Sequence, residues 1–424
     1  MLLAVMLLAA TACDLPGGRA IGASQDGADR PPAVVFTGAD QLVASNFEAL
    51  SGLRIGLVVN HTARSGDKHL IDWTHESPFV KLGALFGPEH GIRGDEDAGA
   101  KIEDGIDDAT GVQVYSLYGE NRRPTSAMME GLDALVFDIQ DVGARFYTFI
   151  STMGLAMQSA TEAGVPFIVL DRPNPLGGVR MAGYVRPDSL ISFVSQYPIP
   201  VQHGLTVGEL ARMIQGERWI PGLEDLDLRV VRMDGWERNM LWPETELEWI
   251  APSPNLPSFE AALIYPGTCF FEATTASEGR GTLEPFLTVG APWLNAHALA
   301  ADLRQWGTPG LKIEPGTVTP VSIPGASTNP KWKDKELGSL HFSITSADSV
   351  DAVATGLDLV GRMYRMAPDS VKDGFFRERW MALLSGSSET LDRVKGGMDR
   401  EAWAWSWEDD VAAFGALREP YLLY

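Results

Sequence analysis

Five apolar runs constrain this chain more than any other feature: residues 53–60, 82–86, 112–117, 132–138 and 166–171. Each is short, almost free of polar interruption, and bounded by glycine, proline or charge, as in a strand buried on both faces. A helical spacing over 146–163 separates the last two runs; Gly164 closes it and Pro166 follows. Apolar strands alternating with helices build a parallel sheet covered on both sides. The expected fold class is therefore α/β, with a Rossmann-like, doubly wound parallel sheet. Helical spacing at 40–50 precedes the first strand, and residues 226–233 add another. A helix at 204–216 carries Thr206 and Glu209 at the spacing of a capping box.

The chain has 424 residues, a length that suits two cores better than one. The proline-rich stretch PSPNLP at 252–257 marks the crossing, giving a Rossmann-like domain at 33–257 and a smaller α+β domain at 258–424. The second domain opens with the loop EATTASEGRGT (272–282). Helices are expected at 293–306, 346–366 and 388–394, a further segment at 402–417, and strands at 311–323 and 340–344. A cleft between the two domains is a favoured place for a ligand.

Residues 1–13 are apolar and end in Ala10-Thr11-Ala12-Cys13, the pattern of an export signal with a lipoprotein cleavage site. The run is too short to span a bilayer. Cys13 is the expected lipidation site and 14–32 a flexible tether. That makes the protein an exported, envelope-located, membrane-anchored lipoprotein that meets the membrane only through acyl chains. The other cysteine, Cys269, lies among aromatic residues and reads as a buried, inert thiol.

A net charge of −22 repels phosphate backbones, which excludes nucleic acid as a partner. After the first strand comes NHTARSG (60–66), neither a dinucleotide fingerprint nor a phosphate loop, so no nucleotide cofactor is expected. The formal sequon Asn60-His61-Thr62 reads as chance. His61, His69, His75, Glu89 and His90 match no metal-binding spacing, and no metal is expected.

Four segments carry more glycine, proline and paired charge than packing requires: GPEHGIRGDED (87–97), DIQDVGARFY (138–147), DRPNPLGG (171–178) and SEGRGTLEP (277–285). The first three follow strands, so the sheet brings them to one edge, where ligands bind in open α/β folds. The fourth comes from the second domain.

These segments, with VYSLYG (114–119), resemble the NamZ family of exo-β-N-acetylmuramidases, and the resemblance runs from about Leu53 to Tyr424. It implies a glycoside hydrolase that releases N-acetylmuramic acid from non-reducing ends of peptidoglycan, using a cleft between the two domains. It also implies Glu89 as general acid, since such hydrolysis needs a carboxylic acid to protonate the leaving oxygen. The second group is left open among Asp138, Asp141 and Glu278, or the substrate's own acetamido group polarised by one of them. His90 is placed to orient Glu89 or bind a hydroxyl. Reading the lactyl carboxylate of muramic acid calls for an arginine, and Arg93, Arg145 and Arg280 are the candidates. Arg172 precedes a proline and can brace a turn instead. Tyr118, Tyr147 and Asp171 complete the expected sugar contacts. The alternatives are a non-catalytic peptidoglycan-binding lipoprotein on the same fold, or an oxidoreductase or transferase.

Overall fold

The computed structural model of the chain describes residues 34–88, 91–93, 104–119 and 121–424. The expected runs become strands β1 (Arg54–Val59), β4 (Lys81–Gly87), β6 (Gln113–Ser116), β7 (Ala134–Asp138), β8 (Phe167–Leu170) and β9 (Leu228–Val231). A small hairpin, β2 (Arg64–Ser65) and β3 (Lys68–His69), follows β1, and β5 (Gly105–Ile106) forms one sheet edge. The seven-stranded order is β5-β6-β4-β1-β7-β8-β9, parallel throughout except for β5. The chain winds outward from β1 through β4 and β6, then returns to the other side for β7, β8 and β9. The crevice at the carboxyl ends of β1 and β7 is thus the switch point of the sheet, where such folds bind ligands.

Strand residues alternate between two cores. Val58, Phe86, Phe137 and Val169 pack under α3 (Phe149–Ala163) and α4 (Val207–Gly216). Leu57, Leu85, Val136 and Ile168 pack under α1 (Gly38–Ala44) and α2 (Leu70–Glu76). Both faces are buried, so both sets are apolar, and the strands read as unbroken runs. The α4 capping box forms as spaced: Thr206 Oγ accepts from the Glu209 amide while the Glu209 carboxylate accepts from the Thr206 amide. The helical spacing at 40–50 resolves into α1 and a short 3-10 turn, because Asn46 and Phe47 take positive φ between them.

Beyond Pro257 the chain enters α5 (Phe259–Thr268), which the sequence pattern did not announce. Every residue except Glu260 is buried, and a helix apolar all round has no stripe to read. It crosses α7 (Ala352–Met366) at glycines. A Cβ on Gly267 would strike the Ala352 carbonyl, and one on Gly356 would strike Gly267. A three-stranded antiparallel sheet, β10 (Thr288–Ala291), β12 (Leu337–Ile344) and β11 (Leu311–Val318), lies beside α6 (Ala296–Trp306). The strand expected to reach 323 stops at Val318, and the segment at 402–417 breaks at Trp407 into two helices.

Candidate active site

The switch point is stapled by side chains. Asn60, fully buried after β1, accepts from the Thr62 amide at 3.0 Å and the Thr62 hydroxyl at 2.6 Å. Thr62 Oγ in turn accepts from the Gln140 amide after β7 at 3.0 Å. The formal sequon is thus a structural clasp. Its Nδ2 group is buried without a partner among the described residues. His69 Nδ1 accepts from the Ile71 amide and caps α2, so the ring proton sits on Nε2 and is donated to Asn60 O at 2.9 Å. Burial lowers the His69 pKa to about 4, which keeps the ring neutral.

Glu89 and His90 lie outside the described residues, as does Cys13. The described residues on either side of the pair are held in place. Gly87 ends β4, and Arg93 donates to Asp107 at 2.8 Å and to Asp72 at 3.2 Å. The hydrogen bond to Asp107 leads the effects that hold the guanidinium above its usual range. Arg93 keeps an exposed face on a pocket of about 280 Å³ that it shares with His61, Arg64, Lys68 and His69.

The DIQDVGARFY segment separates into different duties. Asp138 has no exposed surface and is closed by Arg172, with Nε at 2.5 Å and Nη2 at 2.9 Å. Burial works against charge on Arg172, yet Asp138 outweighs it and raises the guanidinium pKa. Arg172 is thus a brace, and Asp138, expected among the catalytic candidates, faces Arg172 rather than the cleft. Asp141 accepts from the Gly143 amide at 2.7 Å, and His203 Nε2 stands 3.6 Å away. Its Oδ1 has no partner among the described residues.

Arg145, expected to read the lactyl carboxylate, has no exposed surface. It donates to the carbonyls of Tyr184, Ile199 and Leu384, tying the first domain to a late helix of the second. Burial, with no carboxylate opposite, lowers its pKa to about 9. Asp171 is equally sealed, so the expected sugar contact is corrected. It accepts from Thr206 Oγ at 2.8 Å, the Gly208 amide at 2.8 Å and Tyr424 OH at 2.9 Å. Burial raises its pKa to about 6 against those bonds. Tyr118 is half-buried just past β6, and its carbonyl accepts from Ser116 Oγ.

Tyr147 connects this edge to the second domain. Its ring meets Tyr265 edge-on at 6.0 Å, Tyr265 meets Phe286 at 4.8 Å, and the Arg280 guanidinium lies 5.1 Å over Phe286. A second bridge runs from His61 Nε2 to Ala251 O at 2.7 Å and from Asn255 Nδ2 to Ala326 O at 2.9 Å. At this junction Glu278 takes Lys331 at 2.9 Å and Arg280 at 3.5 Å, and Arg280 also holds Glu272 at 2.8 Å. Burial pushes the Glu278 carboxyl up, but the two cations outweigh it and hold it below the usual carboxylate range. Cys269 beside them is a buried free thiol whose pKa burial drives well up.

Among the described residues, the structure therefore brings Asp141, Tyr147, Glu278, Arg280 and Arg93 to the junction or its approaches. It commits Asp138, Asp171 and Arg145 to the scaffold. Asn60, Gln140, His203 and Lys331 were missed. The clasp residues had a signal in their place just after strands, but His203 and Lys331 had none.

Two family models cover most of the chain: the N-terminal part of exo-beta-N-acetylmuramidase NamZ over residues 55–260 and the C-terminal part over 263–424. A Bacillus subtilis (strain 168) protein named peptidoglycan beta-N-acetylmuramidase NamZ is 40% identical over 391 residues, 92% of this chain and 91% of that protein. A crystal structure of a DUF1343 family protein from Bacteroides fragilis superposes with a TM-score of 0.84 at 38% identity, covering 93% of this chain and all of that one. A second from the same organism gives 0.77 at 34% identity over 92% of this chain and 99% of its own. The chain belongs to the exo-beta-N-acetylmuramidase NamZ family of glycoside hydrolases.

Proposed function

We propose that this protein releases N-acetylmuramic acid from non-reducing ends of peptidoglycan strands or fragments, with Glu89 as general acid and Glu278 as the second carboxylate. Family membership across both domains supports the substrate class. One observation carries the second assignment: Glu278 is held ionised by Lys331 and Arg280 where the second domain meets the sheet edge. An ionised carboxylate can act as nucleophile or base, or polarise the substrate's acetamido group; the acid on the other side of the scissile bond must be protonated. Asp138 is unsuited to that duty, being spent on Arg172.

A chromogenic β-N-acetylmuraminide tests the reading. The wild-type protein hydrolyses it, and Glu89→Gln on a substrate with a sugar leaving group loses about 10²–10⁴ in rate. A wild-type protein that binds peptidoglycan but hydrolyses nothing is a binding lipoprotein instead. We further infer that Cys13 carries the acyl anchor, since acyl chains supply membrane attachment. Among the described residues no helix is long and apolar enough to cross a membrane.

A further inference from the structure

We propose that Lys331 is a positioning residue of the reaction: anchored to two main-chain carbonyls, it presents Glu278 to the sugar as a fixed anion. The inference rests on the reading of Glu278 as the second carboxylate. An ammonium has three donors, and Lys331 commits two of them to main-chain carbonyls while its charge pairs with Glu278. One goes to Phe271 O at 2.7 Å and one to Ala276 O at 3.0 Å, and the ammonium nitrogen forms an ion pair with Glu278 Oε2 at 2.9 Å. The two carbonyls flank the turn that leads into the Glu278 loop, so the same side chain sets both the loop and its carboxylate. Trp332 beside it donates to Thr275 O at 2.7 Å, which fixes the backbone from which Lys331 reaches.

The charges around Glu278 explain why the lysine is needed. Arg280 is shared between Glu278 and Glu272, so it does not neutralise Glu278 alone. Tyr265 and Cys269, the other titratable groups facing this cluster, are kept neutral by burial. With Lys331 the cluster has two cations for two carboxylates. Without it, one buried carboxylate has no counter-charge and takes up a proton instead. Nothing in the local sequence signals this role, because Lys331 arrives on the long connection between β11 and β12.

The test is the pH dependence of kcat/KM on a β-N-acetylmuraminide. Lys331→Gln retains an amide donor for the carbonyls but removes the charge. Its acid limb moves upward by about 1–3 pH units, the shift an opposite charge at this range produces. Lys331→Arg brings the limb back toward wild type. A Lys331→Gln profile lowered evenly at every pH, with the limb unmoved, overturns the proposal and leaves Lys331 a loop brace. A second measurement needs no variant at 331. In the wild-type protein labelled with carbon-13 at glutamate carboxyls, the Glu278 signal, assigned by its absence in Glu278→Gln, titrates below the ordinary value of about 4.3. Titration at or above that value also overturns the proposal. A wild-type protein inert on the substrate sinks the hydrolase reading itself, a result distinct from either of these.

Discussion

Asp138 and Glu278 are both buried carboxylates paired with cations, and they sit in very different company. Asp138 meets one guanidinium in a closed pair at the end of β7, and both partners are sealed from solvent. Glu278 meets two cations whose side chains remain about a quarter exposed, at the junction of the two domains. The first arrangement spends the whole carboxylate on its partner and fixes the sheet edge. The second keeps the buried anion charged by cations that themselves reach solvent, and a charged carboxylate is what a reacting group requires. Placement at a strand's carboxyl end is therefore not sufficient for chemistry. The number of partners and their exposure decide.

The sharpest way to break this comparison is to remove each charge. Asp138→Asn leaves the Arg172 guanidinium buried without its counter-ion, and breaking such a pair destabilises by about 3–5 kcal/mol. Chemical denaturation should show that loss, and replacing Arg172 with methionine in the same chain should recover part of it. Glu278→Gln should instead melt near wild type and lose about 10²–10⁴ in turnover. If Asp138→Asn kept its stability and lost only activity, the two carboxylates would have exchanged roles.

The arginines give a second, smaller contrast. Arg145 bonds three carbonyls and has no open face, so Arg145→Ala should lower stability and affect all substrates equally. Arg280 and Arg93 keep exposed faces, and one that pairs with the lactyl carboxylate should cost about 2 kcal/mol in kcat/KM for the muraminide when truncated. The matching β-N-acetylglucosaminide lacks that carboxylate and should barely respond. Equal losses on both sugars for Arg93→Ala and Arg280→Ala would assign Arg93 to the scaffold beside Arg145 and would leave Arg280 acting only through Glu278.

The sheet was legible because strands buried on both faces leave continuous apolar runs, and the motifs were legible because glycine and charge crowd the strand ends. What each motif residue does was not legible, since duty depends on the residue opposite. Asp138 looks like a catalytic group until Arg172 is placed across from it, and Arg145 looks like a sugar ligand until three carbonyls surround it. Lys331 and His203 lie far along the chain from the carboxylates they face, in segments without local pattern. Helix α5 escaped for a different reason: with every side buried but one residue, it offers no periodicity.

The smallest expected effect concerns the other sealed carboxylate, Asp171, and the tail that reaches it. Tyr424 OH donates to Asp171 Oδ2 at 2.9 Å and accepts from the Met233 amide at 2.8 Å, so one side chain pins the tail beside β8. Burial raises the Asp171 pKa to about 6 from its ordinary 3.8. The native state therefore holds a proton that the unfolded chain releases. Its stabilising contribution is full below pH 3.8 and is lost as pH rises through about 6. Above that pH the carboxylate is charged and relies on its remaining donors. Tyr424→Phe removes one of them, and a hydrogen bond to a charged group is worth about 1.5–3 kcal/mol. The variant should thus be weaker by about 1.5 kcal/mol at pH 8, with the difference shrinking toward pH 5 as Asp171 protonates. Denaturation midpoints of the two proteins across that range measure it. A difference that stays constant with pH would mean that the hydroxyl acts through the Met233 amide and not through Asp171.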